Sequence, residues 1–206
     1  IIVAGAFLRL YRIQDLPPAE GYDAAYYGVD ALQLVQGESP RLMYPPNREP
    51  FFSYLVAGLF LIVGPSAPAI HATSALVGIL TFPAVYLAAQ ALFQDEEIPI
   101  RRWGALLAAL VVAFSYWHLN WSRLGMRAIL VPLLSASAVA ALWNGFRAKR
   151  TLSFVIAGVL LGLINNESPV LAELLLQAGV AVVPVGAGLL HREAGLEGLS
   201  GRDAGE

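Results

Sequence analysis

The chain has 206 residues, of which 57% are hydrophobic and 14% charged, with a net charge of -2 and no cysteine. A mean hydropathy of +0.63 excludes an ordinary soluble domain, whose surface must be polar. The small acidic balance gives no basic stripe to neutralise phosphates, which excludes nucleic-acid binding, and the lack of cysteine excludes disulfides and thiolate chemistry. The composition therefore predicts an integral membrane protein.

The first ten residues form an apolar run about half as long as the roughly 20 residues that a helical span requires. The run starts with Ile1 rather than methionine, and no basic segment or small-residue cleavage site accompanies it. A signal peptide is therefore disfavoured. We expect the chain to be the N-terminal fragment of a longer protein, cut within its first span.

An acidic loop follows at 13–50, with the carboxylates Asp15, Glu20, Asp23, Asp30, Glu38 and Glu49 against only Arg41 and Arg48. Ala25, Val29 and Leu32 recur at helical spacing, which predicts a helix lying on the membrane. Asp23 is the predicted N-cap of this helix, and Asp23, Tyr27 and Asp30 should form one polar stripe. Capping and catalysis both stay open as the role of Asp23.

The two aspartates of this helix are poorly spaced to bind one metal ion together. Asp23 and Asp30 stand about 10 Å apart along the axis, too far for two short side chains to share an ion easily. The pattern requires no cofactor, and a divalent cation would need Glu20 or Glu49 brought in by folding. Arg48 and Glu49 lie on a rigid proline-rich segment near the membrane surface, where the alternative is a solvated ion pair.

Six apolar runs follow, at 51–63, 69–93, 103–119, 128–146, 152–164 and 170–190. The first covers only about 20 Å of a hydrocarbon core roughly 30 Å thick, so we predict that it is interfacial or re-entrant. If it does not cross, one side collects the basic residues Arg101, Arg102, Arg147, Lys149 and Arg150. The positive-inside rule makes that side cytoplasmic and places the acidic loop outside.

The segment 117–127 joins two of these runs on the same outer side as the acidic loop. Arg123 and Arg127 are four residues apart and would share one face of a helical turn, suited to bind one anion, with Trp117 and Trp121 at interfacial depth. Snorkelling arginines in an aromatic belt are the alternative. The runs carry no ionisable residue near their centres, which argues against a pump or ion-coupled transporter.

Short motifs occur in order over about residues 8–163: Leu8-Arg9-Leu10, Gly21-Tyr22-Asp23, Gly28-Val29-Asp30, Gly37-Glu38-Ser39-Pro40, Arg48-Glu49-Pro50, Gly64-Pro65-Ser66, Ser74-Ala75-Leu76, and Ser122-Arg123 with Arg127. In this order they resemble the N-terminal part of a GT-C type membrane glycosyltransferase, in the family 39-like group related to protein O-mannosyltransferases and aminoarabinose transferases. The resemblance implies an all-α, multi-pass transmembrane bundle in the plasma membrane with a helical extracytoplasmic first loop. Residues 1–190 would belong to the catalytic module, and 191–206 would be a polar, disordered tail.

The resemblance also implies transfer of a sugar from a polyprenyl-phosphate donor to a protein, lipid or glycan acceptor at the outer face, among membrane lipids. Asp23 matches the family's general base, and direct displacement with one base implies inversion at the anomeric carbon. The implied substrate or lipid-phosphate ligands are Arg123 and Arg127, with Arg48, Glu49, His71 and Asp30 as further candidates.

The chain departs from the family pattern at two positions of the proposed site. Relatives commonly have glutamate where Ala24 stands and arginine where His71 stands. A non-catalytic membrane scaffold or binding protein of the same fold is therefore an alternative. A transporter segment is a weaker one.

Overall fold

The computed structural model describes residues 1–15, 21–38 and 50–167. In these ranges all regular elements are helical: α1 (Ile2–Leu10), α2 (Tyr22–Val35), α3 (Pro50–Val63), α4 (Ala67–Leu92), α5 (Ile98–Phe114), α6 (Tyr116–Trp121), a short 3-10 helix (Arg127–Ile129), α7 (Leu130–Ala148) and α8 (Thr151–Glu167). The predicted all-α membrane fold is confirmed. The run 170–190, the tail 191–206, and the candidates Glu20, Arg48 and Glu49 lie outside the described residues.

Helix α4 is the centre of the bundle. It contacts α1, α3, α5 and α7, and its 26 residues correspond to a length of about 39 Å. Many of its buried positions are small, including Ala69, Ser74, Ala75 and Gly78. Small side chains allow neighbouring helices to approach closely, which favours packing within a membrane, where burial of apolar surface gives little drive.

Two stretches of the described chain are long and apolar enough to cross a membrane, Ala67–Leu92 and Arg127–Ala148. Helix α3 is a shorter apolar helix of 14 residues, or about 21 Å, and it packs mainly along α2. These contacts favour the interfacial interpretation of the run 51–63. The predicted run 103–119 is wrong at its end, because α5 stops at Phe114 and Ser115 has an extended ψ of 122°.

The two ends of α4 have different surroundings. Beyond its C-terminus, Asp95 forms an ion pair with Arg147 from the last turn of α7. The α4–α5 loop and the end of α7 therefore share one end of the bundle. At the other end, His71 in the first turns of α4 contacts the segment between α6 and α7.

Candidate active site

Asp23 lies in the first turn of α2 with its side chain exposed. The N-cap is Gly21, in an extended conformation and without a side-chain capping bond, so the prediction that Asp23 caps this helix is wrong. A carboxylate in the first turn still interacts favourably with the positive end of the helix dipole. Its exposure leaves the Asp23 side chain accessible to a ligand.

The buried face of α2 consists of Ala24, Tyr27 and Ala31. The ring of Tyr27 packs edge-to-face on Phe52 of α3, with ring centroids 5.1 Å apart. Tyr27 therefore does not belong to the predicted polar stripe. Val29 and Leu32, two of the apolar residues whose spacing predicted this helix, are exposed and lie away from the buried face.

A cavity of about 330 Å³ opens beside the first turn of α2. Its walls combine one carboxylate, one guanidinium and four aromatic rings. They are formed by Tyr22, Asp23, Tyr26, Tyr27, Trp121, Met126, Arg127 and Ala128. The structure thus brings Asp23 and Arg127, two of the residues predicted from the sequence, into one cavity, although 104 positions of chain separate them.

The aromatic wall of this cavity is ordered by its own contacts. Tyr22 and Tyr26 pack edge-to-face, and their hydroxyl groups are hydrogen-bonded to each other. Trp121 packs in the same manner on Trp117. The sequence analysis did not identify Tyr26, although its position three residues after Asp23 places both on the same side of a helix.

Arg123 and Arg127 do not share a helical turn, contrary to the sequence prediction. Helix α6 ends at Trp121, and residues 122–125 form a turn in which Gly125 has a φ of +69°. Met126 is extended before the 3-10 helix begins at Arg127. The two guanidinium groups are therefore carried by separate pieces of backbone.

The guanidinium of Arg123 binds the C-terminal end of α1. Its Nη1 donates to the carbonyl oxygens of Leu8 and Arg9 at 2.7 and 3.0 Å, and its Nη2 donates to that of Tyr11 at 2.9 Å. Burial lowers the pKa of Arg123 below its usual range. Arg123 is not among the residues lining the cavity.

His71 is almost completely buried at the start of α4. Its Nδ1 lies 2.7 Å from the carbonyl oxygen of Arg123. Because a carbonyl only accepts, Nδ1 carries the proton. A Cβ on Gly125 would lie 3.3 Å from both the His71 Nδ1 and the Ala24 Cβ, so His71 and Ala24 lie against the same glycine.

A buried pair, Arg9 and His118, lies beneath this turn and was not assigned a role from the sequence. Arg9 is fully buried, with Nη1 donating to the carbonyl oxygens of Gly5 and Ala113, and Nη2 bonded to His118 Nδ1 at 2.8 Å. Its guanidinium also stacks 4.5 Å from the ring centroid of Phe82. The only signal in the sequence was one arginine within an apolar run.

The environment of His118 disfavours its charged form. Burial, and secondly the positive charge of Arg9, lower the pKa of His118 to about 4. Its Nδ1 accepts from Arg9, which places the proton of the neutral ring on Nε2. That nitrogen is buried without a hydrogen-bond partner in the described structure.

The remaining candidates are less closely tied to the cavity. Asp30 is partly buried on α2 but does not line the cavity. Within the described ranges, no group of three His, Asp or Glu side chains is arranged to hold a metal ion. Arg48 and Glu49 directly precede α3 in sequence, and their structure is not described.

Comparison with known proteins gives one family. The family model described as dolichyl-phosphate-mannose-protein mannosyltransferase matches residues 45–183, more than half of the chain. The matched range includes His71, Arg123 and Arg127, whereas Asp23 precedes it. No curated protein and no solved structure matches the chain significantly.

Proposed function

Because the chain belongs to the dolichyl-phosphate-mannose-protein mannosyltransferase family, we propose that its cavity transfers a sugar from a polyprenyl-phosphate donor to an acceptor hydroxyl. The family indicates glycosyl transfer of the mannosyltransferase type in a membrane. The roles of individual residues, the carrier and the stereochemistry are our proposal. Residues 1–190 would belong to the membrane catalytic module, with 191–206 as a polar tail.

The observation that carries this proposal is the presence of Asp23 and Arg127 in the walls of one cavity. An acceptor hydroxyl needs a general base to become a good nucleophile, and an exposed carboxylate can take its proton. A phosphate leaving group needs little protonation but is stabilised by a cation as negative charge develops on it. Arg127 is suited to that role because a guanidinium can pair with two phosphate oxygens at once.

The aromatic wall supports a sugar as the group that lies between these two charges. Tyr22, Tyr26 and Trp121 offer ring faces and hydroxyl or indole N–H donors in the same cavity. A pyranose has both apolar C–H faces and hydroxyl groups, so such a wall can bind both. With one base and direct displacement, the configuration at the anomeric carbon would be inverted.

The distribution of charge supports an extracytoplasmic cavity. Asp95 and Arg147 pair at the end of the bundle remote from His71, and further basic residues, Arg101 and Arg102, lie in the first turns of α5. Lys and Arg are enriched on the cytoplasmic side of membrane proteins. We therefore propose a plasma-membrane protein with the cavity outside.

The other candidates have supporting roles in this proposal. Arg48 and Glu49 precede α3, whose Phe52 packs on the cavity residue Tyr27, and they stay candidates for contacts with the substrate. His71 acts through the turn that precedes Arg127, and Asp30 lies further along the helix that carries Asp23. The reaction as proposed needs no metal cofactor, and a divalent cation would require further carboxylates near Asp23.

Replacing Asp23 with asparagine tests the catalytic assignment. Loss of a general base lowers rates by about 10²–10⁴-fold, so we expect Asp23→Asn to lose transfer from dolichyl-phosphate-mannose by that factor. Glu38→Gln, which changes an exposed carboxylate just beyond the same helix, is the matched control. Equal transfer rates for Asp23→Asn and the unmodified protein would refute the role of Asp23.

A non-catalytic binding protein of the same fold is the second candidate. Ala24 favours it, because this position is buried against Gly125 and lacks the carboxylate that relatives commonly have. This candidate predicts that the unmodified chain binds dolichyl-phosphate-mannose but does not turn it over. Measuring binding and transfer on the same membrane preparation separates the two proposals.

A further inference from the structure

We propose that Arg123 is a positioning residue, whose guanidinium fixes the turn 122–125 to α1 and so sets the positions of Trp121, Met126 and Arg127 around the cavity. This role differs from the phosphate ligand expected from the sequence. The proposal rests on the proposed function only in assuming that the cavity carries out sugar transfer. The attachment itself can be tested without any substrate.

The first anchor is the end of α1. The carbonyl oxygens at the end of a helix lack intrahelical partners and carry the negative end of the helix dipole. Arg123 donates to three of them, those of Leu8, Arg9 and Tyr11, at 2.7 to 3.0 Å. Hydrogen bonds from a charged donor are stronger than neutral ones, so this one side chain is an effective cap for α1.

The second anchor is α4. The backbone carbonyl of Arg123 accepts a hydrogen bond from His71. Its neighbour Ser122 is fully buried, and a Cβ on Gly78 of α4 would lie 2.6 Å from the Ser122 Cβ. The turn is therefore attached to α1 through the Arg123 side chain and to α4 through the Arg123 backbone carbonyl.

The position of this turn is transmitted directly to the cavity. Trp121 precedes it, while Met126 and Arg127 follow it, and all three line the cavity. Within the turn, Gly125 packs against Ala24, the residue after Asp23. A shift of the turn thus changes the separation of Arg127 from Asp23, and a displacement of about 1 Å at a reacting site can cost roughly 10²-fold in rate.

Distance measurements between spin labels test the attachment. The chain contains no cysteine, so cysteines introduced at the exposed positions Phe7 in α1 and Tyr116 in α6 can be labelled in the full chain in lipid nanodiscs. We expect Arg123→Gln to broaden the distance distribution. Arg123→Lys, which keeps the charge and three donors, should broaden it less. An unchanged distribution for Arg123→Gln would overturn the proposal.

Arg12→Gln is the matched control for these measurements. Arg12 also follows α1, but its side chain pairs with the exposed Asp15. Its replacement should leave the distances unchanged. If Arg12→Gln broadened the distances as much as Arg123→Gln, loss of any charge at this end of the bundle would have the same effect. That result would count against a specific attachment through Arg123.

Kinetics with dolichyl-phosphate-mannose distinguish a positioning residue from a substrate ligand. Normalised to folded protein, Arg123→Gln should lower kcat by about 10- to 100-fold and change KM by less than about threefold, with partial recovery in Arg123→Lys. Arg127→Gln should also lower kcat, because Arg127 would stabilise the leaving phosphate, and unlike Arg123→Gln it should raise KM as well. A raised KM for Arg123→Gln with unaltered label distances would identify Arg123 as a ligand instead. Absence of turnover in the unmodified protein would refute the proposed function. The label distances would still test whether Arg123 attaches the turn 122–125 to α1.

Discussion

The guanidinium of Arg123 donates to the backbone carbonyl of Arg9 across 3.0 Å, while the side chain of Arg9 extends inward to the carbonyl oxygen of Ala113 at the same distance. Through these two hydrogen bonds Arg9 is linked to the chain before helix α6, at Ala113, and to the chain after it, at Arg123. Each arginine satisfies carbonyl groups near the end of a helix, Arg123 for α1 and Arg9 for α5. The short N-terminal helix is in this way part of the framework of the cavity.

The pH dependence of stability should report the buried His118. Its pKa is about 4 in the folded protein against 6.5 ordinarily, so between these values the unfolded chain binds a proton that the folded protein excludes. Stability is therefore complete above about pH 6.5 and declines as the pH falls towards 4. We expect a loss of up to about 2 kcal/mol between pH 7.5 and pH 5.

Thermal unfolding in detergent at several pH values measures this loss. Replacement of His118 by glutamine should remove the part of the pH dependence that the imidazole contributes. All other titrating groups contribute equally to the pH dependence of stability in the two proteins. The same slope in the two proteins over this pH range would contradict the assignment.

Gly78 provides a steric test of the contact between α4 and the turn. A Cβ at this position would lie 2.6 Å from the Ser122 Cβ, and neither atom can rotate away, so Gly78→Ala should force the turn outward. Overpacking of this kind typically costs about 1–3 kcal/mol. We expect a lower melting temperature and a lower transfer rate per folded molecule.

The matched control is Gly158→Ala in α8, where a Cβ would meet no atom within 4 Å. Alanine is the better helix former by about 0.5–1 kcal/mol, so this change should be neutral or slightly stabilising. Equal destabilisation by both substitutions would mean that the contact with Ser122 is not the cause.

Ala24 and His71 should behave as a coupled pair. Glutamate at position 24 would bury a carboxylate beside Gly125, and arginine at position 71 would replace the hydrogen bond from His71 to the Arg123 carbonyl. Each single change should be destabilising. The double variant, which introduces opposite charges together, should be more stable than the sum of the single effects predicts.

A double-mutant cycle on unfolding free energies measures this coupling, and we expect about 0.5–3 kcal/mol in favour of the pair. Replacement of His71 with arginine combined with Glu38→Gln, a change at an exposed site, is the control and should give additive effects. Additivity in the Ala24 cycle as well would show that the two positions do not interact.

The aromatic wall should affect binding of the sugar more than the chemical step. Removal of the ring at Trp121 or Tyr22 leaves Asp23 and Arg127 in place, so we expect Trp121→Ala and Tyr22→Ala to raise the KM for dolichyl-phosphate-mannose about tenfold, equivalent to about 1.4 kcal/mol. Tyr116→Ala removes a highly exposed ring that does not line the cavity and should not change KM. An equal rise in KM for all three variants would mean that loss of any aromatic ring at the membrane interface has this effect, and that the cavity wall is not specifically responsible.

The sequence was sufficient where a local pattern determines the structure. Length and composition identified α4 as a long apolar helix and α3 as a shorter one, and the spacing of Ala25, Val29 and Leu32 identified a helix in the acidic loop. The capping residue was misassigned because Gly21, two residues before Asp23, already adopts the extended N-cap conformation.

Features that depend on contacts distant in sequence could not be predicted. Helical spacing placed Arg123 beside Arg127, but helix α6 ends at Trp121 and Gly125 in the following turn has a positive φ. The role of Arg123 depends on carbonyl groups more than 110 positions earlier. In the same way, nothing within the run 1–10 indicates that Arg9 binds His118.

The burial of Arg9 has a consequence for biosynthesis. Its carbonyl partner at Ala113 and its imidazole partner at His118 follow 104 and 109 positions later in the chain. At a synthesis rate of about 5–20 residues per second, roughly 5–20 seconds pass before these partners emerge. During that interval the guanidinium lacks these two partners, which is costly in hydrocarbon, so we expect α1 to reach its final position in the bundle only after α5 and α6 have been made.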